Sequence, residues 1–218
     1  MFLMSMRNAR GKSPCARFIL ISTPTTVPPH AMYRQTEPED LMKDEILKLL
    51  PELKEIRDEL LRDKIIAVWE DALDMGGWKI EDLKRMPFTL LVKDVEITFI
   101  EHVRTVCRMC IAMEHVLVDA YADRVTIHHD YLVAGALIAD VGKLLEFSEQ
   151  DGKFVKGELG KYLRHPFTGV GLCYRHDVPY QVSHLSAVHS KEGAGGFRSA
   201  EAIVFHHADF TDFELIGG

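Results

Sequence analysis

Several things are missing from this chain of 218 residues, and each absence narrows what it can be. No apolar run approaches the roughly 20 residues that a bilayer-spanning helix needs, so no membrane partner is expected. The four cysteines, Cys15, Cys107, Cys110 and Cys173, are too few and too scattered for a disulfide framework. They read as thiols of a reducing compartment, and the cytoplasm is the expected location. No block of Lys and Arg interrupts a net charge of −7, so a nucleic-acid backbone is not an expected partner. A small anionic substrate would need a local positive patch or a metal, because the overall field opposes it. No internal repeat and no convincing polar–apolar alternation is present, which leaves an all-α fold as the expectation.

Acidic residues are absent from the first 36 positions, which carry Arg7, Arg10, Lys12, Arg17 and Arg34. Pro24, Pro28 and Pro29 break any helix there. Residues 1–35 are expected to be poorly ordered and outside the fold, with Met32 or Met42 as the working start. The 47% hydrophobic content of the chain supports one good-sized core.

Residues 36–87 read as a helical extension. Thr36, Pro38 and Glu39 form a helix-start signal, and that helix should run to about Leu50. Pro51 should open a second helix through Asp74, stopped by Gly76-Gly77. Its apolar stripe (Leu53, Ile56, Leu60, Ile65) suits an oligomerisation arm over residues 36–75, and its charged residues a solvated face. No chemistry is apparent in this part.

Thr98 and Glu101 form a capping box for a helix with an apolar stripe through Phe99, Val103, Val106, Cys110, Met113 and Leu117. Cys107 and Cys110 have CxxC spacing but sit mid-helix without a second ligand pair, so they read as core thiols. A further helix is expected from about Asp130 to Phe147, then a polar connection over 148–157 and a helix from Glu158 to Tyr174. Lys191 to Gly196 reads as a flexible loop that follows no strand, so it is not a nucleotide-fingerprint loop. A last helix should carry His206, His207 and Asp209.

The organising stretch is Gly135-Ala-Leu-Ile-Ala-Asp-Val-Gly-Lys143. Val133, Leu137, Val141 and Leu144 recur with a helical period, and Asp140 lies inside that apolar run. A buried carboxylate is costly unless it is hydrogen-bonded, paired or bound to a cation. Lys143, three residues on, is a ready local partner. Around it stand eleven histidines, ten of them after residue 100. Any one of them alone reads as a hydrogen-bonded core or surface histidine.

Their order is more specific. His102 stands in Glu101-His-Val-Arg104, and Asp140 in the apolar segment ending Asp-Val-Gly-Lys143. His165 precedes Pro166, His189 lies in His-Ser-Lys-Glu-Gly193, and Asp209 closes His206-His-Ala-Asp209. From about residue 88 this series resembles the HD-domain superfamily of metal-dependent phosphohydrolases, specifically its two-metal branch. The resemblance implies an HD-like helical bundle over 88–218. It also implies a pair of divalent cations (Fe, Mn, Zn or Co) held by His102, Asp140, His165, His189 and Asp209. Asp140 would bridge them, and Lys143 would act beside it on a substrate phosphate. Arg104, Arg164 and Arg198 would hold further anionic groups. The implied function is hydrolysis of a small phosphorylated metabolite or nucleotide by metal-activated water. Two alternatives remain open: a di-iron oxygenase of the same fold, or an impaired ligand-binding or regulatory member. The chain departs from the pattern at Ala139, where the family's His-Asp doublet has its histidine. His128, His129 and His206 are candidate substitutes.

Overall fold

The computed structural model describes residues 38–92 and 95–216. The expectations for residues 1–35 and for the cap at Thr36 fall outside the described residues. α1 (Pro38–Leu49) is followed by a 3₁₀ turn, Pro51–Glu55. The helix expected from Pro51 to Asp74 is interrupted there. The chain is extended at Ile56, and α2 (Glu59–Gly76) starts only after Asp58. The Asp58 carboxylate accepts from the backbone N–H groups of Leu60 and Leu61 at 2.9 and 3.2 Å. Such a cap is worth about 1 kcal/mol and relocates the helix start. α2 stops as expected at Gly77, whose φ of +70° favours glycine.

α3 (Ile80–Leu83) is short. α4 (Phe99–Tyr121) starts on the expected capping box: Thr98 N donates to Glu101 Oε2 at 2.8 Å, and Glu101 N donates to Thr98 Oγ1 at 3.3 Å.

Three expected elements differ in the structure. The helix read as Asp130 to Phe147 becomes α5 (His129–Ile138), a tight turn over 139–142, and α6 (Lys143–Glu146). The connection over 148–157 is a hairpin, not a plain loop: β1 (Phe147–Gln150) pairs antiparallel with β2 (Lys153–Lys156). Asp151 and Gly152, both at positive φ (51° and 75°), make its two-residue turn. The helix read as Glu158 to Tyr174 splits into α7 (Glu158–Tyr162) and α8 (His165–Arg175). Pro166 explains that split, because proline is tolerated in a first helical turn and not inside a helix. α9 (Tyr180–Val188) and α10 (Ala200–Ile216) complete the all-α fold.

α5 is the centre. From Leu132 to Ile138 every side is buried, as expected of a helix apolar all round. α2, α4, α9 and α10 pack around it. Trp69 Nε1 donates to the Leu137 carbonyl at 3.2 Å, and Trp78 Nε1 to that of Leu144 at 2.7 Å, so α2 and the segment after it brace both sides of the 139–142 turn. Ile46, Leu53 and Ile65, from the expected helical extension, share one apolar core with Val103, Leu137 and Phe205. Among the described residues no helix is long and apolar enough to cross a membrane.

Candidate metal centre

Breaking α5 at residue 139 turns Asp140 out of the helical ladder and towards the starts and ends of four other helices. The carboxylate is 5% exposed. Its two oxygens face different partners. Oδ2 lies 3.0 Å from His102 Nε2 and 3.0 Å from Lys143 Nζ. Oδ1 lies 3.3 Å from His165 Nε2 and 3.5 Å from His189 Nε2. Asp209 Oδ1, on α10, reaches His102 Nε2 at 3.2 Å. Two groups able to hold a metal ion result, His102–Asp140–Asp209 and Asp140–His165–His189, each with ligand atoms within 4.8 Å of one another and with Asp140 common to both.

The turn needs glycine. A β-carbon on Gly142 would stand 2.1 Å from the His165 carbonyl oxygen, so only glycine lets α8 approach closely enough to deliver His165. Pro166 starts α8 and places His165 in its first turn.

Every inward-facing ring is held from behind by its other nitrogen. His102 Nδ1 donates to Asp212 Oδ2 at 2.7 Å, and His165 Nδ1 to Glu146 Oε2 at 3.0 Å. His189 Nδ1 donates to the Ser186 carbonyl at 2.9 Å. Glu146 also accepts from the His165 backbone N–H at 2.7 Å. These contacts fix a proton on each Nδ1 and aim each Nε2 inward, where it can ligate a cation once any proton it carries is released, which is the usual orientation of metal-ligating histidines. Asp212 and Glu146 carry no sequence signal that marks them for this role. Asp212 lies one turn beyond Asp209, and Glu146 three residues after Lys143.

The donor set fits a cation. His165 Nε2 and His189 Nε2 stand 3.1 Å apart. With both rings neutral, two lone pairs would face each other in a buried site, so a proton or a metal ion must lie between them. In the absence of metal, His102 keeps its proton. Burial opposes charge on His102, but the carboxylates of Asp140, Asp209 and Asp212 outweigh it and raise its pKa to about 10. His189 is likewise raised by Asp140 against its burial, whereas burial dominates at His165 and lowers it. Burial also penalises charge on Asp140, yet Lys143 with the rings of His102 and His189 keeps its carboxyl well below the usual range.

Lys143 is committed within the site: its Nζ donates to the Phe88 carbonyl at 2.8 Å besides pairing with Asp140. Arg164 borders the cluster, with Nε 2.9 Å from Glu146 Oε1 in an ion pair that lacks hydrogen-bond alignment. Arg198 donates from Nε and Nη2 to the Val188 carbonyl at 3.3 and 3.2 Å. Arg104 is not brought to the cluster. It pairs with Glu52 at 3.0 Å and lines a separate cleft of about 480 Å³ with Lys48, Lys84 and Glu101.

At position 139 the alanine is fully buried, and its carbonyl accepts from Ser186 Oγ at 3.1 Å. The three candidate substitutes are engaged elsewhere. His128 stacks on Tyr131, His129 Nδ1 pairs with Glu114 at 2.6 Å, and His206 Nδ1 donates to the His189 carbonyl at 2.9 Å. Cys107 and Cys110 are buried on α4, and neither belongs to a ligand group among the described residues.

Over 118 residues the chain is 30% identical to a dihydroneopterin 2',3'-cyclic phosphate phosphodiesterase of Methanocaldococcus jannaschii. The matched segment covers 53% of this chain and 46% of that protein, so the chain spans about half the length of its relative. No family model matches the chain. No solved structure matches it.

Proposed function

We propose that the protein is an HD-type, metal-dependent phosphohydrolase that opens a phosphodiester of a small metabolite. The observation that carries this reading is Asp140, with one carboxylate oxygen facing each of two buried ligand groups. The likeness to a cyclic-phosphate phosphodiesterase supports it and makes a 2',3'-cyclic phosphate the first substrate to test.

His102, Asp140 and Asp209 would hold one divalent cation, and Asp140, His165 and His189 a second. Such ions polarise phosphoryl oxygens and lower the pKa of water when bound. The chain's own residues prepare the site for that chemistry. Asp212, Glu146 and the Ser186 carbonyl hold the Nδ1 protons, so all three rings would offer Nε2 to a cation. Lys143 fixes Asp140 from the side and offsets its charge. Arg164 lies at the edge next to His165, where a guanidinium can meet a phosphate oxygen once released from Glu146. The buried walls exclude bulk water, which strengthens each of these interactions.

The test is metal content together with turnover. Protein loaded separately with Mn, Fe, Zn or Co is assayed against neopterin and nucleoside 2',3'-cyclic phosphates, beside Asp140→Ala. The reading expects bound metal and ring-opened product for the wild type and neither for the variant. Bound metal without turnover of any cyclic or linear phosphate ester would favour a ligand-binding domain, to which the missing imidazole at Ala139 lends specific support.

A further inference from the structure

Behind the metal centre lies a second concavity that the reading above does not use. It is a cleft of about 750 Å³, within the range of small-molecule sites. α8 and α9 separate it from the metal side. A helix turns by about 100° per residue. Tyr174, nine residues after His165, therefore points almost directly away from it, and His184, five before His189, points about 140° away. Both Tyr174 and His184 line the cleft. The same two helices thus show one face to the candidate ligands and the other to this cleft.

Its walls are aromatic. Tyr174, Tyr180 and Phe197 are 85%, 80% and 79% exposed, so much of their ring surface is open. Two stacked pairs stand in the lining: His128 on Tyr131 with centroids 3.8 Å apart, and His184 on Phe197 at 5.6 Å. The polar groups are few and specific. Glu201 uses Oε1 to accept from the His128 backbone N–H at 2.8 Å, and among the described residues no hydrogen bond occupies its other oxygen. His184 Nε2 accepts from Ser199 N at 3.3 Å, so its Nδ1 carries the proton and is a donor. Burial lowers the pKa of His184 against the opposing pull of Glu201. Among the described residues, no Lys or Arg lines the cleft.

The geometry points to a binding site for an uncharged planar nitrogen heterocycle of purine or pteridine size, stacked on the exposed tyrosines and hydrogen-bonded to Glu201 and His184. Aromatic faces accept any π-face, and a carboxylate beside a ring donor complements an amino- or lactam-type ring edge. A phosphate is disfavoured there, because among the described residues the lining holds the Glu201 carboxylate and no Lys or Arg to offset it. The ligand is therefore a base or a nucleoside-like compound, distinct from the anion expected at Asp140.

Saturation-transfer NMR on the full chain tests this with adenosine and neopterin as probes and cyclohexane-1,2-diol as an aliphatic control. The wild type should give a saturable signal with at least one heterocycle and none with the diol. Tyr180→Ala, which removes an exposed ring, should keep the melting temperature and weaken binding by about tenfold or more. Glu201→Gln should weaken it less. Asp140→Ala should leave it unchanged, since that residue lies on the other side of α8 and α9. Four outcomes overturn the inference. They are no saturable signal at millimolar probe, equal saturation by the diol, and loss of binding in Asp140→Ala but not in Tyr180→Ala. The fourth is a Tyr180-dependent dimer in light scattering, which would assign the cleft to a second copy of the chain.

Discussion

A β-carbon on Gly142 would lie 2.1 Å from the carbonyl oxygen of His165 and 2.6 Å from Thr168 Oγ1. The nearest of these atoms is backbone, so moving the Thr168 side chain would not relieve the clash. Gly142→Ala should therefore destabilise the fold by about 1–3 kcal/mol, the range for forced overpacking. It should also push His165 away from Asp140. A thermal melt checks the first effect, and metal content of the folded fraction checks the second.

Asp212 and Glu146 act on the site only through histidine rings. Asp212→Asn removes the charge behind His102 Nδ1, and Glu146→Gln does so behind His165. Each should weaken metal binding at its own group by about 10- to 100-fold. The neutral amides retain an acceptor oxygen, so the melting temperature of the metal-free protein should fall much less than the affinity. Competition with a chromophoric chelator measures the affinity loss.

Metal uptake should release protons. Without a cation, the pKa of His102 is raised to about 10, so that ring is protonated near neutrality, and nearby Asp140 raises that of His189 against its burial. A ligating imidazole must give up that proton, so affinity should fall as the pH is lowered. The sign for stability is the reverse. A folded-state pKa raised above the unfolded value of 6.5 contributes stability that is fully present below about pH 6.5. That contribution is lost as the pH rises through about 10. Calorimetry in buffers of different ionisation enthalpy counts the protons, and melting of metal-free protein between neutral and alkaline pH tests the stability term.

Thiol reactivity provides an independent check on the core. Cys107, Cys110 and Cys173 are buried, and burial raises all three thiols. Since the thiolate is the reactive form, these three should resist maleimide labelling in the native protein and label at once after unfolding. Rapid native labelling of Cys107 or Cys110 would mean that α4 is not seated as described.

Much of the helical order could be read from the chain. Caps and stops with local signals, such as the Thr98–Glu101 box and Gly77, are where the sequence puts them, because each acts within a few residues. The breaks were harder to see. Leu137, Val141 and Leu144 keep a helical period straight through the 139–142 turn, since a buried turn needs apolar residues as much as a buried helix does. Asp58 outcompetes Pro51 as a helix start through a side-chain bond, and Pro166, which a continuous helix from Glu158 to Tyr174 would have held in its interior, divides α7 from α8. Asp151-Gly152 is a hairpin signal that polarity alone disguises as a loop. At the candidate site, a histidine or aspartate shows its ligand chemistry by type and order. Asp212 and Glu146 show theirs only through contacts spanning 110 and 19 residues, which no local pattern encodes.

The central claim is that Asp140 serves two cation sites at once, and metal stoichiometry measured on three proteins tests it most directly. The account predicts about two divalent ions per chain in the wild type, with loss of one in His189→Ala and of both in Asp140→Ala. A wild type that stays metal-free after growth and purification with added metal, or an Asp140→Ala protein that keeps the wild-type content, would contradict it.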